Sequence, residues 1–182
     1  MQSERQCGEC TLCCKLLPTK EINKPANTRC QHQRHGKGCA IYAKRPFSCM
    51  VWQCRWLAED DTADLSRPDR AHYVIDVIPD YITMQYDDGQ SIDIPVLQIW
   101  VDPRHPDAHR DPHLRAYLAR RGEKEGMAAM IRYNSSDGFV LFPPAITGEG
   151  WIERRSAMRT AEHSLIDTLS RFGGGSVSLE QK

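Results

Sequence analysis

Eight residues, Cys7-Gly8-Glu9-Cys10-Thr11-Leu12-Cys13-Cys14, hold half of the chain's eight cysteines. The others follow at Cys30, Cys39, Cys49 and Cys54, and none stands between Trp56 and Lys182. Thiolates are soft ligands. Sulfurs set three residues apart converge on one side of a tight or helical turn, as zinc and iron–sulfur sites require. Cys13 and Cys14 are adjacent and cannot point the same way on a regular backbone, so one of them serves a second site or stays free.

A disulfide framework and a thiol redox device are the competing readings. Met1 to Arg5 leads into the cysteines without an apolar stretch, which gives no expectation of secretion. Every cysteine lies in the first third of the chain, although the remainder is long enough to need staples of its own in an oxidising compartment. Repeated short spacing in a cytoplasmic chain reads as metal binding. No apolar run approaches the length of a membrane span, so the expectation is a cytoplasmic protein without a membrane partner.

The formal net charge is zero, but residues 1–58 carry ten Lys or Arg against three Asp or Glu, and the rest carries the matching deficit. A basic head suits nucleic acid. It also suits thiolate centres, since a four-thiolate zinc site or an oxidised four-iron cluster carries a net charge of about −2. The basic residues alternate with the cysteines and form no block, which favours the second explanation.

Residues 15–38 read as a loop pinned at both ends by ligation, punctuated by Pro18, Pro25, Gly36 and Gly38. His32 and His35 lie in it as substitute ligands, with solvated loop histidine the plainer reading. Pro46 suits the first turn of a helix continuing through Leu57. On it Cys49 falls near the N-terminus, where the dipole favours a thiolate. Trp52 and Trp56 share a face, either roofing a metal site or filling the core. Tyr42 and Arg45 are candidates to support a ligand sulfur by hydrogen bonding.

The pattern Cys7-x-x-Cys10-x-x-Cys13-Cys14, Cys30, Cys39-x-Ile41-Tyr42-x-x-Arg45-Pro46-x-x-Cys49, Cys54 resembles the CxxCxxCC (YkgJ-type) family of zinc- or iron-chelating proteins. The resemblance covers residues 7–54 and implies that all eight cysteines serve zinc or iron. The same region is similar to the cysteine-rich part of the flagellin lysine N-methylases, which implies that some relatives use an iron–sulfur centre in methyl transfer. Nothing from residue 55 onward carries that activity over.

Glu59 to Asp64 reads as an acidic hinge or surface turn. Strands are expected at Tyr73–Ile78, Tyr81–Tyr86 and Ile92–Val101, forming an antiparallel meander with a turn at Asp87-Asp88-Gly89. Pro95 argues for an edge or a bulge. A helix is expected from Asp111-Pro112 to about Arg121, with Gly122 near its end, then a hairpin around Asn134–Gly138. A last helix would carry Met158, Ala161, Leu165, Ile166, Leu169 and Phe172 on one face. His105, His109 and His113, with Asp102, Asp107 and Asp111, would line a helix for a second metal if Pro106 and Pro112 did not interrupt it.

The fold expected is α+β: a cysteine-rich metal-binding head (1–58) packed on a small antiparallel sheet with helices (59–174), then a disordered tail (175–182). The function expected is chelation of zinc or iron by the head. The tight cysteine triple and the two tryptophans tip the choice toward an iron–sulfur cluster. The alternatives are an iron–sulfur enzyme in methyl or electron transfer, whose cluster adjoins a cleft formed with residues 70–172, and a zinc-dependent nucleic-acid binder.

Overall fold

A computed structural model describes residues 5–34, 36–85 and 88–155. In chain order the head contains α1 (Leu12–Leu16), a 3-10 turn (Lys20–Ile22), a two-residue ribbon of β1 (Gln33–Arg34) and β2 (Gly38–Cys39), a 3-10 turn (Tyr42–Lys44), α2 (Phe47–Val51) and α3 (Arg55–Ala58). The body follows with a 3-10 turn (Asp60–Thr62), α4 (Pro68–Ala71), β3 (Tyr73–Ile75), β4 (Asp80–Gln85), β5 (Ser91–Val101), a 3-10 turn (Pro106–Arg110), α5 (Pro112–Glu125), β6 (Ala128–Arg132), β7 (Gly138–Phe142), α6 (Pro144–Thr147) and β8 (Ile152–Arg154). The last helix and the tail expected from the sequence lie outside the described residues.

Helices and sheet are both present, as expected, but the sheet is mixed rather than antiparallel. β3 and β4 pair end to end along the same side of β5, both antiparallel, and β6, β7 and β8 follow on its other side. The β5–β6 pairing is parallel, Val96 opposite Ala128 through Trp100 opposite Arg132. Parallel neighbours need a crossover of a dozen or more residues, and α5 supplies it. Pro95 pairs with Tyr81 on the β4 side, while pairing to β6 begins only at Val96. The proline therefore lies where its missing N–H costs no ladder bond on the β6 side.

Alternation along β5 sorts the core onto two faces. Leu97, Ile99 and Val101 pack with Leu114, Tyr117 and Leu118 of α5 and with Ile131, Phe139 and Leu141. On the opposite face Trp100 and its neighbour Val74 of β3 meet Leu12 and Leu16 of α1 and Cys54. Further along that face Ile94, Val96, Met130 and Phe142 make a separate cluster. The head is thus a cover on one end of the second sheet face. Leu16 is fully buried there, and burying such a side chain stabilises by about 1.5–3 kcal/mol.

The helix expected from Pro46 to Leu57 is broken. Pro46 is the N-cap of α2, and Trp52 (ψ 137°) and Cys54 (ψ 153°) are extended between α2 and α3. Glu59 to Asp64 is a turn rather than a hinge: Thr62 is buried, and its hydroxyl bonds Arg5 and the Glu59 carbonyl at 2.7 Å each. α5 runs past Arg121, its expected end, to Glu125, and Gly126 at φ +63° closes it. Gly122 lies inside it, where a Cβ would stand 2.5 Å from Pro143 Cγ. The glycine permits α6 to approach.

Candidate metal centre

α1 is one turn and a half long, which is enough to separate its two cysteines. Successive helical residues diverge by about 100°. Cys13 joins Cys10 and Cys54 in the apolar cluster under Trp52 and Trp56. Cys14 lies toward the loop: its carbonyl accepts the Cys30 N–H at 3.0 Å, and its sulfur feels the charges of Lys24 and Arg45. The Cys10 N–H bonds the Cys7 carbonyl at 2.8 Å, closing the first Cys-x-x-Cys turn.

The later cysteines return to this run. Cys54 lies in the apolar cluster that Cys10 and Cys13 adjoin, and the charge of Cys14 acts with burial to raise the Cys49 pKa. Cys39 ends the ribbon, opposite Gln33, whose N–H bonds the Cys30 carbonyl at 3.0 Å. The adjoining Gly38 has φ +77°, and a Cβ on it would lie 3.1 Å from the Gly8 carbonyl. The glycine lets the ribbon reach the Cys7–Cys10 turn. Cys54 therefore packs in the cluster that Cys10 and Cys13 adjoin, and the backbone of Cys30 is joined to that of Cys14.

All eight cysteines are free thiols. The Cys13 S–H bonds the Cys14 sulfur; this bond, burial and neighbouring thiols hold the Cys13 thiol well above its ordinary range. The same bond lowers Cys14 to about 7, with Lys24 and Arg45 assisting against burial. Burial pushes Cys54 up to about 11. It also raises Cys7, against Arg45, and raises Cys10 and Cys49. Among the described residues no three His, Cys, Asp or Glu side chains are disposed to enclose a metal ion as they stand. Thiols carry protons and lie apart; a metal must displace those protons and draw the sulfurs together. The donor set itself, soft and unpaired, fits zinc or an iron–sulfur centre.

Arg45 lies over the Tyr42 ring at 3.8 Å, and its Nε is buried without a hydrogen-bond partner. An unpaired guanidinium N–H beside Cys7 and Cys14 suits a sulfur that gains negative charge. Trp52 and Trp56 pack against the cluster that contains Cys54 without sharing a helix, because each indole N–H is anchored separately. Trp52 donates to Asp76 at 2.7 Å, and Trp56 to the Leu65 carbonyl at 3.0 Å. His32 engages Gln31 at 3.3 Å, and His35 is outside the described residues.

Two open clefts are formed by described residues. One of about 630 Å³ is lined by Cys7, Arg5, Tyr42, Gln53 and Asp60 among others, so it adjoins the thiols but is built from residues 5–60, not 70–172. The other, about 580 Å³, lies between α4 and the Pro106–Arg110 turn and contains no cysteine. The histidine series of the body disperses. His105 stacks on His72 at 3.6 Å, His109 is buried, and the His113 N–H bonds Asp111, the cap of α5.

The sequence reading missed Lys24, which is buried with its ammonium on the carbonyls that end α1. It also missed Asp76, which anchors Trp52. A lysine in a polar loop gives no signal, but an aspartate inside the apolar run Tyr73–Ile78 is one. No helix among the described residues is long and apolar enough to cross a membrane. No family model matches the chain, and comparison with the curated proteins and with solved structures finds no match.

Proposed function

We propose that the chain is a metal-binding protein whose N-terminal cysteines hold zinc or an iron–sulfur centre. The observation that carries this reading is the approach of cysteines distant in sequence to α1: Cys54 packs with Leu12 and Leu16 in the cluster that Cys10 and Cys13 adjoin, and the Cys30 N–H bonds the Cys14 carbonyl. Soft donors with a buried, unpaired guanidinium N–H on Arg45 are what thiolate ligation calls for. Bound metal would supply the cross-link that two-residue strands and one-turn helices do not. The tight triple continues to favour iron–sulfur over zinc.

Protein made and purified without oxygen is expected to be brown, to bleach on reduction and to contain iron and acid-labile sulfide. A colourless preparation with stoichiometric zinc keeps the metal-binding reading and replaces the metal. Protein with neither metal from the same preparation overturns it.

The cleft beside Cys7 favours a second reading, an iron–sulfur enzyme in methyl or electron transfer, since it brings solvent-accessible space to a ligand sulfur. The third reading, a nucleic-acid binder, draws on exposed Tyr42 and Phe47. It requires binding that weakens steeply with salt.

A further inference from the structure

The cleft of about 580 Å³ between α4 and the Pro106–Arg110 turn presents Ser66, Arg70, His72, His105 and Arg110, with Asp107 and Asp111 also on its wall. None of the residues lining it is a cysteine. Its two imidazoles are positioned by one residue. The Asp102 N–H bonds the His72 carbonyl at 2.9 Å, and the Asp102 carbonyl accepts the His105 N–H at 2.7 Å. The rings stack at 3.6 Å, 6° from parallel. His72 closes α4 at φ +62°, in the left-handed region that favours glycine. Asp102 is itself buried and paired with Lys15 of α1. The stack is therefore a fixed part of the wall.

The carboxylates of this wall are already engaged, while its cationic groups are not. Asp111 accepts the Tyr73 hydroxyl on one oxygen at 3.0 Å and the His113 N–H on the other at 2.9 Å. Asp107 Oδ1 faces Arg110 Nε at 3.4 Å. Among the described residues, the terminal N–H groups of Arg110 and the whole Arg70 guanidinium have no hydrogen-bond partner. Both side chains are exposed to the cleft and to solvent. Each imidazole adds at least one ring N–H donor. A metal cation is the competing ligand for paired histidines. Among the described residues no three His, Cys, Asp or Glu side chains are disposed to enclose one, and two guanidinium groups repel it.

We propose that this cleft is a binding site for a phosphoryl group, received by the Arg70 and Arg110 guanidinium groups and by the ring N–H donors of the His72–His105 stack. Guanidinium forks match the geometry of phosphate oxygens and keep their charge at any physiological pH. The volume is that of a small-molecule site, so it admits either the free ion or a small phosphate monoester. The inference stands apart from the thiols and does not depend on what they bind.

The test titrates the full chain with inorganic phosphate and, separately, with O-phosphoserine at fixed ionic strength, by calorimetry and by the NMR shifts of the histidine rings. Saturable binding is expected, with the His72 and His105 signals moving and that of His113, outside the cleft, in place. Tighter binding of phosphoserine assigns the site to a monoester, and tighter binding of phosphate to the free ion. Arg70→Ala is expected to weaken binding on the order of tenfold, and Arg70→Lys to recover part of the loss. His105→Gln is expected to weaken it also, while His113→Gln leaves it unchanged. Arg70 and His105 are exposed, and an unfolding midpoint near that of the native chain checks each variant. If Arg70→Ala does not fold, His105→Gln carries the same comparison. Absence of saturable binding of both probes at millimolar concentration overturns the site, as does an equal loss in His113→Gln. Acetate bound as tightly as phosphate overturns the phosphoryl assignment.

Discussion

Lys15 Nζ lies 2.5 Å from Asp102 Oδ2, tying α1 of the cysteine-rich head to the residue that follows β5. The carboxylate side chain is 4 % exposed and also accepts the Arg104 N–H at 3.1 Å. Head and body are joined at further points, among them Asn27 to the Tyr133 carbonyl, Arg5 to Thr62, Trp52 to Asp76 and Trp56 to the Leu65 carbonyl. The thiol site is therefore built against the sheet rather than hung from it.

Burial works to raise the Asp102 pKa, but the Lys15 ammonium and the Arg104 N–H outweigh it and hold the carboxyl below its ordinary range. A carboxyl depressed in the folded state contributes stability above its unfolded pKa of about 3.9 and loses it as pH falls through the folded value. Lys15→Met is expected to cost about 2 kcal/mol at pH 7 and to flatten the fall in stability below about pH 4. Urea unfolding at pH 7 and pH 3 reads both. An unchanged acid limb would remove the pair from the account.

Asp76 is buried and receives both the Trp52 indole N–H at 2.7 Å and the Ile78 N–H at 2.9 Å. Burial raises its carboxyl pKa despite those bonds, so the charge itself is poorly placed while the acceptor atoms are needed. Asp76→Asn should accordingly cost less than Asp76→Leu, which strands two buried donors at about 1–3 kcal/mol each. Denaturant midpoints order the two variants. The reverse order would show that the charge, not the acceptor, is what matters.

Gly122→Ala tests the contact between α5 and α6. Helix propensity favours alanine by about 1 kcal/mol, but the added methyl would stand 2.5 Å from Pro143 Cγ. Overpacking is expected to win, with a net loss of about 1–2 kcal/mol. A thermal midpoint at or above that of the native chain would mean that α6 shifts freely.

His109 is 3 % exposed, and its Nδ1 donates to the Pro106 carbonyl at 2.7 Å. That carbonyl can only accept, so the neutral ring leaves Nε2 bare, 3.7 Å from Glu153 Oε1. Burial lowers the imidazole pKa and Arg115 lowers it further, against Pro106 and Glu153. The native state therefore binds this proton less readily than the unfolded chain, and stability falls as pH drops below about 6.5. In an NMR titration His109 should lose its neutral form below the free-imidazole value of about 6.5, and Glu153→Gln should lower its midpoint again. A His109 midpoint at or above that value would contradict the burial argument.

Much of the body was legible in the chain. The apolar runs marked β3, β4, β5, β6 and β7 to within a few residues, and Asp111-Pro112 marked the start of α5, but Pro95 lies in a central strand rather than an edge, at a position where pairing to β6 has not yet begun. Pairing was read less well. A meander was the local solution for three successive strands, yet β5 takes β6 in parallel because α5 lies between them and buries Leu114, Tyr117 and Leu118 on the sheet. The helix from Pro46 to Leu57 failed for a non-local reason. Trp52 leaves helical geometry, and its indole reaches an aspartate 24 residues away in the body.

By itself the sequence determined the candidate donors: eight thiols and their two-residue gaps. Local spacing fixes those facts because helix geometry acts over a single turn. Which distant cysteine approaches this run was decided only by the tertiary structure. Cys54 comes to Cys10 and Cys13 because Trp100 and Val74 bury the face of α1 that carries Leu12 and Leu16. Lys24 turns inward because the carbonyls at the end of α1 need donors. Both depend on burial and hydrogen bonding between segments that no spacing along the chain brings together.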